Sequence, residues 1–299
     1  MKPRFIRLRF ASILLFALFV SCANIPAFRK DLKRNVVHAE EIGGFFPVWK
    51  PLQAGIDVLA GRTRHPKLKF YAVRIDLTDR DRGIIVTPVL PDGVPPLGTG
   101  KIYSIYVSSF AEANGCVAAL NAGPFSPVNA REGEERAVYG LFIADGTLIA
   151  PPDGYDALVF YKNGKAAIVR QSALTEAVVG TIRNAVGGFY TVLENGEVGE
   201  AVFRRSGRHP RSAAGLGAES RFLYLLAIDG RWFDTVGATE AETGLLLRAL
   251  GAEHGINLDG GGSTALAVRI EGRINILNRP IHKQIPGKER AVATCLGVR

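Results

Sequence analysis

The chain has 299 residues, 47% of them hydrophobic and 22% charged, with 34 Gly, 16 Pro and 3 Cys. This composition excludes a coiled coil, a collagen-like or disordered polymer, a disulfide scaffold and a Cys-rich zinc module, and leaves enough chain to bury a sizeable core. The formal charge of +9 falls to +5 over residues 22–299 once Lys2, Arg4, Arg7 and Arg9 are set aside, a mildly basic balance that suits an anionic ligand or membrane surface and gives no ground for a nucleic-acid partner.

Residues 1–21 read as a signal peptide: four cations, the apolar run from Phe10 to Val20, then Ser21 and Cys22. The run is too short to span a bilayer, which takes about 20 helical residues. Ser21-Cys22 resembles a lipobox, which makes Cys22 a candidate for lipidation and the chain an exported, membrane-anchored lipoprotein of the periplasm or cell surface. The alternative is an ordinary cleaved signal, or a short anchor, with an incidental Cys. Residues 22–45 are polar and charged around Arg29–Glu41 and read as a tether, so the domain is expected over residues 46–299.

Within that span Tyr71, Val73, Ile75 and Leu77 alternate with Arg74 and Asp76 as a half-buried strand does, and Ile84–Leu90, Phe222–Ile228 and Ala291–Val298 also read as strands. A helix is expected over roughly 103–114, leading into an apolar strand at Cys116. Asp145-Gly146, Asn163-Gly164 and Asn195-Gly196 predict β-hairpins, and Glu271-Gly272 a further turn, because such pairs accept positive φ. Thr239-Glu-Ala-Glu242 fits a capping box opening a second helix, with Leu245, Leu246, Leu247 and Leu250 as its apolar face and Gly251 as its stop. The resulting class is α+β: a single mixed domain, largely β-sheet with hairpins and a few packed helices. Cys116 and Cys295 sit in apolar runs and read as two buried thiols; export would also permit a bridge.

Four polar segments lie at the ends of these apolar runs. In Asn257-Leu-Asp259-Gly260-Gly261-Gly262-Ser263-Thr264 a short strand delivers Asn257 and Asp259 two residues apart, on one face, followed by glycines whose backbone could approach a ligand or form an anion nest. A plain glycine turn capped by Asp259 is the competing reading. Arg208-His209-Pro-Arg211 gathers two guanidinium groups and an imidazole, suited to phosphate or carboxylate, or else forms a solvated basic turn. Asn121 ends the Cys116 strand and Asp229-Gly230-Arg231 ends the Phe222 strand; each is a ligand group or a turn starter. Glu242 is a further carboxylate, with the capping box as its structural role.

Taken in order, Asn121–Phe125, Asp145-Gly146, Ala185–Gly188, Arg208–Ser212, Asp229–Arg231, Gly237-x-Thr239-x-x-Glu242 and Asn257–Thr264 resemble the phosphodiester glycosidase family over roughly residues 65–298. The resemblance implies a hydrolase that cleaves a sugar-1-phosphodiester in envelope or exopolysaccharide glycans, with a carbohydrate or phosphoglycan as partner. It implies Arg211, with Arg208, holding the phosphate. Asp259 or Asp229 would stabilise an oxocarbenium-like sugar or activate water, with Glu242 as a third candidate. Asn121 and Asn257 would orient hydroxyls or water, and His209, Thr239, Gly260, Gly261, Gly262 and Ser263 would complete substrate binding. The sequence requires no cofactor and shows no metal-ligand spacing; a divalent ion on Asp229 or Asp259 is compatible with it. The alternative function is a non-catalytic glycan- or phosphoglycan-binding lipoprotein on the same fold.

Overall fold

Along Phe222–Ile228 the side chains alternate between two cores: Leu223, Leu225 and Ala227 enter one, Tyr224, Leu226 and Ile228 the other, and all are buried. A strand buried on both faces belongs at the centre of a layered fold. The computed structural model describes residues 32, 35–79, 82–87, 100–129 and 131–299. The expected signal peptide, Cys22 and half of the expected tether lie outside the described residues. Among those described, no helix is long and apolar enough to cross a membrane.

The largest sheet has eight strands: β1 (Val37–Glu41), β2 (Lys50–Gln53), β3 (Ile56–His65), β4 (Leu68–Asp76), β15 (Thr191–Leu193), β16 (Arg211–Leu216), β17 (Phe222–Ile228) and β18 (His254–Asn257). Its order is β1-β3-β4-β17-β16-β18-β15, with β2 beside β3. A second sheet holds β5 (Ile84–Val86), β7 (Ala118–Asn121), β19 (Leu266–Ile270), β20 (Arg273–Ile276) and β21 (Cys295–Val298). A third holds β10 (Phe142–Ala144), β11 (Thr147–Ala150), β12 (Asp156–Tyr161), β13 (Ala166–Arg170) and β14 (Ile182–Gly187), and a small one β6 (Lys101–Tyr103), β8 (Phe125–Ser126) and β9 (Glu135–Val138). Among the described residues four short helices accompany them: α1 (Val107–Ala113), α2 (Glu176–Val179), α3 (Glu200–Phe203) and α4 (Glu240–Leu250). The class is α+β, dominated by sheet.

One core lies between the first two sheets and continues into the third, joining Val58, Val73 and Leu225 to Leu120, Leu266 and Leu296. The other lies on the opposite face of the large sheet, where α4 delivers Leu246, Leu247 and Leu250 onto Ala213, Leu226 and Ile228. This second cover explains two departures from expectation. β4 is not half-buried: Phe70 and Ala72 face α4's side while Val73 and Ile75 face the other sheet. The segment expected to be tether contributes β1, parallel to β3, and buries Ile42 and Phe45 in the α4 core, so ordered sheet begins before residue 46.

The local signals fold as their chemistry dictates. Asp145-Gly146, Asn163-Gly164, Asn195-Gly196 and Glu271-Gly272 each turn a hairpin, and their glycines have φ between 78° and 86°. Thr239 caps α4 through the Glu242 N–H while the Glu242 side chain accepts the Thr239 N–H, and Gly251 closes the helix at φ 108°. Cys116 and Cys295 are free thiols, both buried.

Candidate functional site

β18 ends at Asn257, and the chain then crosses to the second sheet: Leu258 N–H still bonds Ser212 O (2.8 Å), but Asp259 N–H bonds Ala122 O (2.8 Å). The glycines that follow let this crossing hug the start of β16. A Cβ on Gly260 would lie 2.6 Å from Pro210 O, and one on Gly262 would lie 2.6 Å from the Arg290 guanidinium. The glycines therefore make room for protein. The Gly261 and Ser263 N–H groups are spent on Pro210 O (2.8 Å) and Gly260 O (3.1 Å), so they form no open anion nest.

Asp259 is half-buried and faces Ser263 and Arg290. Burial pushes its carboxyl up to about 6, against the pull of the Ser263 hydroxyl, the Arg290 charge and the Gly260 N–H. Arg290 is itself half-buried; its Nη1 donates to Ser263 Oγ (3.1 Å) and its Nε to His282 Nδ1 (3.2 Å). Burial and Arg231 hold the Arg290 pKa below its usual value, and Asp259 opposes them. To serve as acceptor, His282 must be neutral at Nδ1. Burial, Arg290, Lys283 and Lys288 lower it to about 4, which keeps it so. Arg231 approaches from β17's end: a Cβ on Gly261 would lie 3.1 Å from its guanidinium.

Asp229 ends β17 on the side of the second sheet. Its Oδ1 accepts the Arg279 N–H (2.7 Å) and the Asn278 amide (3.4 Å), and Asn278 also bonds Thr264 O (3.0 Å), next to Asp259's partner Ser263. Burial raises Asp229 to about 6 despite these bonds and the charges of Lys69 and Arg279. The following loop carries Arg231, then Trp232 with the Arg279 guanidinium 3.8 Å above its ring, then Phe233, which is 88% exposed.

Several expected site residues are engaged elsewhere. Arg211 heads β16 on the face of Ala213, towards α4. Its guanidinium donates to Ala238 O (3.0 Å) and Gly207 O (2.8 Å) and pairs with the buried Glu240 (3.6 Å). Its guanidinium is thus engaged on the α4 side, and the guanidinium that acts on the Asp259 carboxylate is that of Arg290. Arg208 grips Glu242 with both terminal nitrogens (2.7 and 2.5 Å), and Glu242 also completes the cap with Thr239, so these three form a structural knot on α4. Asn121 is buried; its amide donates to Asp259 O (2.5 Å) and accepts Ser212 Oγ (2.6 Å) and the Ala265 N–H (3.1 Å), so it positions the Asp259 loop. Asn257 is buried with Oδ1 unpaired. His209 is largely exposed beside Gly237–Ala238, its imidazole held low by burial, Arg211 and Arg231.

Arg290, Asn278, Arg279 and His282 were not singled out in the sequence. Arg290 carries the signal that drew attention to Arg211, a cation at the mouth of an apolar run. Asp259 beside an arginine, and Asp229 holding two N–H donors, suit an anion in front of the guanidinium groups better than a divalent cation. Among the described residues no three His, Cys, Asp or Glu side chains gather as a metal site would.

No curated protein is significantly similar to the chain in sequence. Among solved structures, a hypothetical protein from Synechocystis superposes with a TM-score of 0.58 at 15% identity, over 84% of this chain and 64% of its own. This chain thus spans just under two thirds of that protein. The zebrafish N-acetylglucosamine-1-phosphodiester alpha-N-acetylglucosaminidase catalytic domain, auto-inhibited by its pro-peptide, gives 0.61 at 20% identity over 84% of each chain. A Burkholderia pseudomallei protein thought to be exported gives 0.53 at 17% identity, over 77% of this chain and 74% of its own. These likenesses establish the fold. The phosphodiester glycosidase family model matches residues 114–299, more than half of the sequence and all of the segments that carry Asp229, Asp259 and Arg290, and on that match the chain belongs to the phosphodiester glycosidase family.

Proposed function

We propose that the protein hydrolyses a sugar-1-phosphodiester, with Asp259 facing the anomeric carbon and Arg290 and Arg231 holding the phosphoryl oxygens. The observation that carries this reading is the half-buried Asp259 carboxylate fixed beside Arg290 through Ser263. The departing phosphate monoester has a second pKa of about 6, so it needs little protonation, and charge stabilisation by two guanidinium groups does most of the work of expelling it. Asp259 opposes the positive charge that builds on the sugar. Asp229, anchored through Oδ1 by the Arg279 N–H, is the second carboxylate and activates water. Trp232 and Phe233 supply aromatic surface for the sugar ring at the rim. Arg211, Arg208, Glu242 and Asn121 position backbone in this scheme and do not touch the reacting atoms.

The apolar N-terminus supports an exported protein held at a membrane through lipidated Cys22, which would place the site against envelope or exopolysaccharide glycans. Incubation with a panel of sugar-1-phosphodiesters should release reducing sugar, with or without chelator. Asp259→Asn should lower kcat by ~10² or more with no loss of thermal stability. A wild-type activity in that variant removes Asp259 from the mechanism, and saturable binding of every panel member without product returns the protein to the glycan-binding reading. Labelled lipid should enter the wild type and not Cys22→Ser.

A further inference from the structure

A cavity of about 420 Å³ opens along the free edge of β15, outside the Asp259 site and within the size range of small-molecule pockets. It begins at Tyr190, whose carbonyl accepts the Asn257 N–H two residues before Asp259, and continues past Leu193 to the Asn195-Gly196 hairpin. Tyr190 is fixed. Tyr155 meets it edge-on at 5.4 Å, and the Arg205 guanidinium stacks 3.4 Å from its centre while Arg205 Nη1 is held by Glu240 (3.0 Å). At the other end Glu194 and Glu197 pair directly across the hairpin. Like charges facing each other across a strand pair weaken it, and neither carboxylate has a cation partner among the described residues to offset this. Arg170 and His254 also line it, without ion pairs among the described residues, as does Asp156, whose Oδ2 accepts the Thr191 N–H (2.6 Å).

The mixture decides the ligand class. Carboxylates outnumber uncommitted cations, so an anionic group is disfavoured, and the polar walls disfavour a purely apolar molecule. A polyhydroxylated ring fits: its hydroxyls donate to the carboxylates and accept from Arg170, and its C–H face lies against an immobilised aromatic edge. We infer that this cavity is a saccharide-binding subsite that holds a phosphate-free portion of a glycan one strand away from Asp259. The choice of a saccharide draws on the proposed hydrolase reading; the cavity and its lining do not.

The test needs no turnover, so it survives failure of the hydrolase reading. Maltotetraose, cellotetraose and N-acetylated chitotetraose are titrated calorimetrically into the full chain and into Asp259→Asn at millimolar concentration. At least one should bind both proteins alike. Tyr190→Ala and, separately, Glu197→Gln should each weaken that binding about tenfold, whereas Tyr190→Phe should retain it. Glu197 lies on an exposed hairpin, so its variant folds whether or not Tyr190→Ala does. Absence of binding by all three sugars overturns the proposal, as does binding that Glu197→Gln leaves unchanged or that Asp259→Asn abolishes.

Discussion

Two arginines at the mouths of apolar strands have opposite fates, and the reason lies in strand parity. Arg211 shares a face with Ala213, which sends its guanidinium under α4 to Glu240; Arg290 precedes an irregular stretch before β21 and reaches Ser263. Replacing each by Met separates their roles. Arg290→Met should keep the fold and lower kcat/KM on a sugar-1-phosphodiester by ~10², since it removes charge where negative charge grows. Arg211→Met leaves Glu240 buried with only Arg205 opposite, and should cost ~3 kcal/mol in urea unfolding. A stable Arg211→Met with lost activity would reverse the assignment. The carboxylates give a second prediction. Asp229 and Asp259 are raised from about 3.8 to about 6, so the folded state binds more protons than the unfolded one between those values. Stability therefore rises as pH falls from about 6 towards 4, where His282, lowered to about 4, partly opposes the trend. Asp229→Asn keeps the acceptor for Arg279 and removes the buried charge, so it should raise stability above pH 6, on the order of 2 kcal/mol, and leave it unchanged near pH 4. Thermal melts across that range measure the slope, and a gain equal at both ends would place the cause elsewhere than ionisation.

Elements were legible where their determinants are local. The hairpin pairs, the Thr239 capping box and the Gly251 stop each depend on side chains within a few residues, and all fold as their chemistry requires. β1 was not legible, because the alternation in Val37-His-Ala-Glu40 is only four residues long and lies in a charged stretch, and the strand owes its place to a parallel partner some twenty residues on, β3. Arg290 was hidden for the same reason: Pro286, Gly287 and Lys288 before it form a surface turn, and it is placed by the long-range contacts of its neighbours, the bridge between Ile281 and Lys288, the Glu289 bonds to Ser108 and the Val292 pairing with Ile105. Carboxylates at strand ends were legible as chemistry, but their facing groups were not, since those come from other strands. Helix α4 gives a test of the same distinction. Gly244 lies mid-helix, where propensity alone would make Gly→Ala stabilising by about 1 kcal/mol. Here a Cβ would lie 2.2 Å from Val192 O, because α4 packs its glycine directly on β15. Gly244→Ala should therefore destabilise by ~2 kcal/mol in urea unfolding. A stabilised variant would mean that α4 stands farther from the sheet than this close approach requires.

At the scale of the molecule, the layer formed by β7, β21 and α1 closes the shared core, and two thiols report on that closure. Cys116 and Cys295 are both inaccessible; a Cβ on Gly297 would lie 2.7 Å from Cys116 Sγ, which leaves no gap between α1 and β21. Burial raises Cys116 to about 11 and Cys295 well above its ordinary value, the latter helped by Glu289. Little thiolate forms at neutral pH in either, and no reagent reaches them without an opening of the layer. Because both sit in the one core that joins three sheets, that opening should be global and not a local fraying. In a Cys22→Ser chain, which retains two of the three cysteines, a neutral thiol reagent should label both at a single rate. That rate should follow the urea dependence of unfolding, and reductant should leave the melting temperature unchanged because no disulfide is present to break. Labelling of Cys116 ahead of Cys295 would show that α1 lifts off by itself, and rapid labelling of both in water would mean that the second sheet does not seal the core beneath the Asp259 loop.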